Sequence, residues 1–555
     1  MGRKEGGKGN GGRRVFPIVP SHPSCLPSCP SCPSRPSAVS KTLMRRLIAA
    51  VVLAVLPACG SPKKPAAPDP KIPERLTNAE ALVRAGCYDC LVAAFREYTT
   101  LRAYPSATEA ATAGAVRSAA LLAARERELG TEDSGYLQRA HELVATNDTL
   151  YQQTLVPLLE IADTLLTRGG GRQVGDDIEL ARMQTANRNR EVWTDRLRAH
   201  ADEDSLHAYL WLAFNCTYVP AIRQNVDEWL NQLPVWRETA LIKFKAATCG
   251  AFNNAALAAL LDRDGRFVEL NYFLGLNATL GGRIDEAVEK FQLAHAWKPR
   301  WPAVTTSMGN AYLTLEEFEE AVTFFNRTLA VVPIHPDAFL GKIKALTYAG
   351  RYADALATIE QLLALERWYV GDARYWRAFN ELQLARNDEA WADIELADKL
   401  LINALVPKLA GIIAYRRKQV DVARAKFEES RKRNPSDCET TYYLGVIFAE
   451  QAVWARTAET LIEAGTCLEG WERGYNDEIA RLRASNQPAT RVQRQIARRE
   501  QQIAEGRRKM ATSWFDVAVA YYQLARKDEA KQYAERVADD EQFGERARDL
   551  LSRLR

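Results

Sequence analysis

Histidine is scarce, at six of 555 residues, and no His-Glu-x-x-His occurs. Of His141, His200, His207, His295 and His335, only His200 and His207 stand near one another, seven residues apart. A zinc hydrolase of that type is excluded. No Gly-x-Ser-x-Gly nucleophile elbow occurs either. Gly169-Gly170-Gly171-Arg172 lacks the Gly-Lys-Ser/Thr ending of a phosphate-binding loop. The acidic pairs Glu316-Glu317 and Asp388-Glu389 stand in turn segments, where solvated carboxylates are expected. Catalysis therefore has no residues assigned to it. The reading is of a non-enzyme with no cofactor and no metal.

A strong basic balance is also missing. The formal charge of +4 rests on residues 1–58, which hold nine Lys/Arg and one Asp/Glu. The rest carries 65 basic and 69 acidic side chains, a net of −4 (65 − 69). No basic face able to replace phosphate counterions is indicated, so nucleic acid is not an expected partner. At 555 residues the chain is too long for one compact core, which suggests several domains or a repeat array.

The longest apolar run, Leu47 to Leu56, is ten residues, too short to span a bilayer and right for the centre of a signal peptide. Arg45 and Arg46 precede it, and Leu56-Pro57-Ala58-Cys59 ends it. This resembles the bacterial lipobox, departing from it at Pro57. The resemblance implies cleavage before Cys59, lipidation of Cys59 and stable anchoring by several acyl chains. Gly60 follows, where an aspartate would resemble an inner-membrane retention signal. The expected location is thus the cell envelope, at the outer membrane, facing the periplasm. On this reading translation starts at Met44, residues 44–58 are the signal, and residues 59–75 are a Pro/Lys/Ala tether. The segment before Met44 is Gly-, Pro- and Ser-rich and cannot bury a core. Its Cys25, Cys29 and Cys32 are spaced like an iron–sulfur loop, but they sit in a Pro-Ser repeat with no strand–helix barrel after it, and no metal site is expected.

Six cysteines remain: Cys87, Cys90, Cys216, Cys249, Cys438 and Cys467. An even number beyond a secretion signal suggests disulfides. Cys438 falls at the start of the first helix and Cys467 at the end of the second helix of one expected hairpin, ends that antiparallel packing brings together, and Cys216 and Cys249 have a similar interval. Cys87-Tyr88-Asp89-Cys90 reads as a local disulfide or two buried thiols rather than a redox motif, because no βαβ setting surrounds it.

Internal periodicity organises the second half. Gly275, Ala287, Phe291, Ala294 and Pro299 are followed one period later by Gly309, Ala321, Phe325 and Pro333, with Tyr312 between. Gly411, Ala423, Phe427 and Pro435 repeat the pattern, as do Leu444-Gly445, Leu461 and Ala464. Ala355 and Ala390 keep the register in weaker copies, and Trp514, Ala518, Tyr521 and Ala530 form a last one. The pattern resembles the tetratricopeptide repeat family. The resemblance implies an all-α solenoid of antiparallel helical hairpins, with glycine allowing two helices to approach, phenylalanine filling the gap and proline ending the second helix. The array is expected over 266–469 and in a terminal unit at 512–555. Residues 76–265 read as divergent helical hairpins. Residues 470–511 read as a basic helical insertion, broken at Asn486-Gln487-Pro488. Between Arg473 and Lys509 this insertion holds ten basic and four acidic side chains. It is either a solvated arm or a contact surface for an acidic partner or anionic lipid.

The same resemblance implies a concave groove lined by the first helix of each hairpin. Its candidate residues are Tyr272, Leu276, Asn310, Leu313, Lys344, Lys408, Ile412, Tyr415, Tyr442, Val446, Phe515 and Tyr522. Such a groove would take a peptide or helix of some acidic character, unless these side chains pack between hairpins as core. The implied function is a membrane-anchored scaffold or adaptor for proteins of an envelope assembly, secretion, pilus or motility complex. The alternative is an accessory subunit of an envelope enzyme or carbohydrate-handling system with a site in residues 76–265.

Overall fold

The computed structural model describes residues 71–145, 158–162, 184, 188–218, 220–249, 253–365 and 369–554. The signal, Cys59 and the Gly169–Arg172 loop lie outside them. Every regular element among the described residues is helical. No described helix is long and apolar enough to cross a membrane.

The first part is built of short hairpins. They are α1 (Ile72–Ala85) with α2 (Tyr88–Leu101), α3 (Thr108–Leu129) with α4 (Tyr136–Ala145), and α5 (Arg190–Ala199) with α6 (Ser205–Tyr218). The short α7 (Val226–Leu230) precedes α8 (Ala240–Ala247) and α9 (Asn254–Arg263). Local capping explains several boundaries. Thr239 Oγ1 and Asn253 Oδ1 accept amide protons in the first turns of α8 and α9. Gly86 ends α1 at φ 72°, and a Cβ there would come within 2.5 Å of Leu241 Cα, so both backbone and space require glycine.

Seven hairpins follow among the described residues. They are α10/α11 (Leu270–Leu280, Ile284–Trp297), α12/α13 (Pro302–Thr314, Phe318–Val331), α14/α15 (Pro336–Tyr348, Tyr352–Leu363) and α16/α17 (Val370–Gln383, Asn387–Asp398), then α18/α19 (Leu405–Arg416, Val420–Arg433), α20/α21 (Cys438–Glu450, Trp454–Ala484) and α22/α23 (Ala489–Gln523, Lys527–Glu535), with α24 (Gly544–Arg553) closing the chain. Helices α11, α13 and α19 end at Trp297, Val331 and Arg433, each two residues before Pro299, Pro333 and Pro435. Pro302 and Pro336 open the helices that follow, where the missing amide costs nothing.

Close approach of the two helices defines each unit. A Cβ on Gly275 would lie 2.6 Å from the ring of Phe291, and one on Gly309 2.7 Å from that of Phe325. Gly411 stands in the same relation to Phe427, at 2.8 Å. Phe325 also meets Gly341 of the next hairpin, where a Cβ would approach to 2.3 Å, so one ring locks two units. The turn inside each hairpin holds one residue in the left-handed region: Gly282, Glu316, Gly350, Ala385, Lys418, Ala452 and Ala525. Five of these seven are not glycine. The geometry is imposed by the hairpin, whatever residue stands there.

Three expected boundaries fall inside continuous structure. One apolar core runs from Ile72 to Met308 and crosses residue 265. Residues 470 and 511 fall within α21 and α22, so the basic segment is the outward extension of two repeat helices, with its break at 485–488. Cys467 accordingly lies in mid-helix rather than at a helix end.

A buried ionic network welds the first part to the first repeat. The Arg125 guanidinium lies over the Phe244 ring at 3.4 Å and donates to Glu269 Oε1 at 2.6 Å, both side chains fully buried. Tyr88 N–H donates to the same oxygen at 2.8 Å. Nearby, Glu128 accepts from Tyr209 Oη at 2.6 Å and Lys245 Nζ at 2.7 Å. Burial pushes the Glu269 carboxyl above its ordinary value, with Arg125 opposing. Earlier on α3, Arg117 donates to Asp204 Oδ2 at 2.6 Å, and Asp204 Oδ1 accepts the amide of Leu206 at 2.8 Å. Burial alone would raise Asp204, but His207 and Arg117 together bring it down to about 2.

Three outcomes follow for stability in denaturant titrations. Arg125→Leu strands Glu269 and should cost about 3–5 kcal/mol, with Arg125→Leu/Glu269→Leu recovering much of it. Ala452→Gly relieves a left-handed alanine and should raise stability by up to ~1 kcal/mol. Because the folded Asp204 carboxyl titrates below its unfolded value, its contribution is present above about pH 4 and is lost as pH falls through about 2. Asp204→Asn should remove that acid-side dependence.

Candidate protein-binding groove

The expected groove residues occupy equivalent places on the first helix of their hairpins. Tyr272, Lys408 and Tyr442 stand three residues before Gly275, Gly411 and Gly445, and Leu276, Ile412 and Val446 one residue after. Spacing of three or four residues puts each set on one helical face. The glycine is turned toward the second helix, and the flanking residues stand beside that contact: Tyr272 lies 6.2 Å from the Phe291 ring that Gly275 faces.

Their exposure separates them. Asn310 and Tyr522 are exposed, and most of the others are half-buried. Tyr272 is packed among Phe273, Phe291 and Trp301, at ring separations of 5.3, 6.2 and 5.0 Å. Phe515 is buried, stacked on Phe543 at 5.0 Å with the Arg546 guanidinium 4.4 Å from its ring. Phe515 is thus core, covered by the chain that follows the last hairpin.

The middle of the strip keeps half-buried side chains. Tyr415 Oη donates to Glu450 Oε1 at 2.5 Å, and burial together with that carboxylate pushes the phenol well above its usual range. Tyr442 stands edge-on to Tyr443 at 5.4 Å. Lys408 Nζ is paired with Asp437 at 3.1 Å and Glu439 at 2.8 Å, and Glu439 also takes Lys509 at 2.5 Å. The lysine expected to favour an acidic ligand is therefore largely neutralised by its own chain. Asp516, on the same helix as Tyr522, is raised to about 6 by burial, against Arg546 and with Glu450 adding to the rise.

Two residues complete the strip unforeseen. Tyr375 and Phe379, half-buried on α16, are the fourth hairpin's equivalents of Lys408 and Ile412. Counting back twelve residues from Ala390 to Ala378 would have found them, because Ala378 stands where the stronger copies have glycine.

The six cysteines come together in three pairs. Cα separations are 5.0 Å for Cys87 and Cys90, 5.4 Å for Cys216 and Cys249, and 5.5 Å for Cys438 and Cys467, and each pair is at disulfide-bonding distance. Cys87 caps α2 and, like Cys90, is buried, which leaves neither sulfur open to thiol exchange. Among the described residues no three His, Cys, Asp or Glu are grouped as metal ligands. A cleft of about 400 Å³ opens in the first part between α7, α8 and α9, lined by Leu230, Lys243, Asn253 and Leu260 with Asp227 and Glu238. Glu238 is exposed and paired with Lys243 at 2.6 Å.

Stacked antiparallel helical hairpins define an α-solenoid. Residues 306–367 and 511–539 each match a family model of the tetratricopeptide repeat. Those two segments carry tetratricopeptide repeats, and one left-handed turn residue marks each of the seven described hairpins of the array. No curated protein matches it. Among solved structures it is similar to a thermophilic repeat protein of Thermus thermophilus, at 17% identity over 33% of this chain and 98% of that one, with a TM-score of 0.28. A tetratricopeptide repeat protein of Parabacteroides merdae aligns at 16% identity over 47% of this chain and 99% of its own, with a TM-score of 0.30. The Cut9–Hcn1 hetero-tetramer of the APC/C aligns at 14% identity over 87% and 90%, with a TM-score of 0.34.

Removing both sulfurs of the Cys438–Cys467 pair by serine substitution should cost ~2–4 kcal/mol if the bridge forms in the native protein. Thiol titration of the unfolded, unreduced chain checks it. Any thiol recovered from these two positions would show the bridge absent.

Proposed function

We propose that this protein is a lipid-anchored adaptor that holds partner proteins along the open strip of its repeat helices. The observation that carries the reading is the run of half-buried aromatic and aliphatic side chains on consecutive first helices: Tyr375, Phe379, Ile412, Tyr415, Tyr442 and Val446. Such side chains present a large contact area with few torsions to freeze, which favours binding an extended or helical segment. The lipobox-like Leu56-Pro57-Ala58-Cys59 supports anchoring through Cys59 at the outer membrane, facing the periplasm. An envelope assembly, secretion, pilus or motility complex is the setting we infer.

Crosslinking in intact envelopes followed by co-purification tests the reading. Recovery of no protein partner would overturn it. Tyr415→Ala/Tyr442→Ala should lower recovery by about tenfold or more, because truncating two central aromatics costs at least ~1.4 kcal/mol, while helicity stays unchanged. Cys59→Ala should move the chain from the membrane to the soluble fraction.

A further inference from the structure

The basic segment does not extend freely into solvent. Helices α21 and α22 run together beyond the sixth and seventh hairpins as an antiparallel arm, held by Ile479 and Ile503, which are 5% and 7% exposed. Past its tip the arm meets the turns of the first two hairpins, 174 and 206 residues earlier in sequence. Arg491 donates to Glu317 Oε1 at 2.5 Å and also to Asp285. Gln495 Nε2 donates to the Leu315 carbonyl at 3.1 Å. Arg498 donates to Glu316 Oε2 at 2.9 Å with its guanidinium 4.0 Å from the Phe318 ring, and Arg499 donates to Glu316 Oε1 at 2.6 Å.

Two properties of this contact matter. First, it closes a circuit: the second to sixth hairpins and the arm form one unbroken loop of structure, and the strip from Lys344 to Val446 lies on hairpins inside that circuit. Second, it is almost wholly ionic. Arg491 is 8% exposed and Gln495 9%, and the Arg498 guanidinium lies over the Phe318 ring. A permanent brace would bury apolar surface, as the arm does between its own helices. A contact of arginines and carboxylates separates with little apolar surface to expose beyond the Phe318 ring, and salt weakens it.

We propose that the arm is a strap closed by an ionic latch, Arg491, Arg498 and Arg499 against Asp285, Glu316 and Glu317, and that opening it admits a partner to the strip. The second half of this statement rests on the adaptor reading; the latch itself does not.

The test uses the full chain. Arg491→Glu/Arg498→Glu/Arg499→Glu should raise amide exchange across 489–503 about tenfold or more and increase the radius of gyration in X-ray scattering, with 454–468 unaffected. Adding Glu316→Arg/Glu317→Arg should restore both. Raising NaCl from about 50 mM to about 1 M should open the parent chain in the same way. Equal exchange and radius in parent and variant would overturn the latch, and so would acceleration spread equally over 454–468. If the triple variant loses helicity, Arg498→Gln and Glu316→Gln approach the same contact from either side. Partner crosslinking then separates the two claims. An opened latch with unchanged capture overturns gating, whereas loss of capture only in Tyr415→Ala/Tyr442→Ala leaves the strip as the binding surface.

Discussion

The array depends on how closely two helices of one hairpin can approach. At Gly275, Gly309 and Gly411 there is no room for a methyl group against the phenylalanine of the opposing helix. That contact sets the hairpin angle, the angle sets the stacking of neighbours, and stacking leaves the flanking residues of each first helix half-buried. Phe325, wedged between Gly309 and Gly341, shows the coupling directly: the ring that closes one unit is the surface on which the next is built. The left-handed residue in all seven turns follows from the same constraint, because the short turn must reverse the chain over a fixed distance.

The first part of the chain obeys a different logic. Among its described residues the close approach of glycine to a ring is made by Gly114 and Tyr98 rather than by a glycine–phenylalanine pair, and its core merges with that of the first repeats. What fixes their position is polar. Arg125 is held between an aromatic ring and the buried Glu269, and the Glu269 oxygen also takes the amide of Tyr88. Such a network is specific because each member is costly to leave alone. It makes the first part an end-piece for the solenoid, covering the apolar face that an uncapped first hairpin would expose.

Legibility in the sequence tracked the range of the interactions. The strong repeats were readable because their determinants lie within one hairpin, from Gly275 to Pro299 or Gly309 to Pro333. The fourth hairpin was half-readable: alanine replaces glycine at 378, which hid Tyr375 and Phe379. The spacing places Phe515 in the groove because its cover, Phe543, comes from a segment with no repeat signature. The charge of Lys408 was legible, its neutralisation by Asp437 and Glu439 of the next hairpin was not. The arm shows the limit most clearly. Ten cations against four acids between Arg473 and Lys509 describe a basic surface equally well whether its counter-charges are water, lipid or another part of the same chain.

The sequence by itself determined the helical hairpin, its period and the face on which candidate binding residues stand, because these follow from side-chain size and spacing within one hairpin. Only the tertiary structure decided which of those residues remain open, where the first part ends, and what the arginines of the arm face. Those outcomes depend on the superhelical path, which brings Arg491 to Asp285 and Glu317 although nothing local in either segment encodes the other.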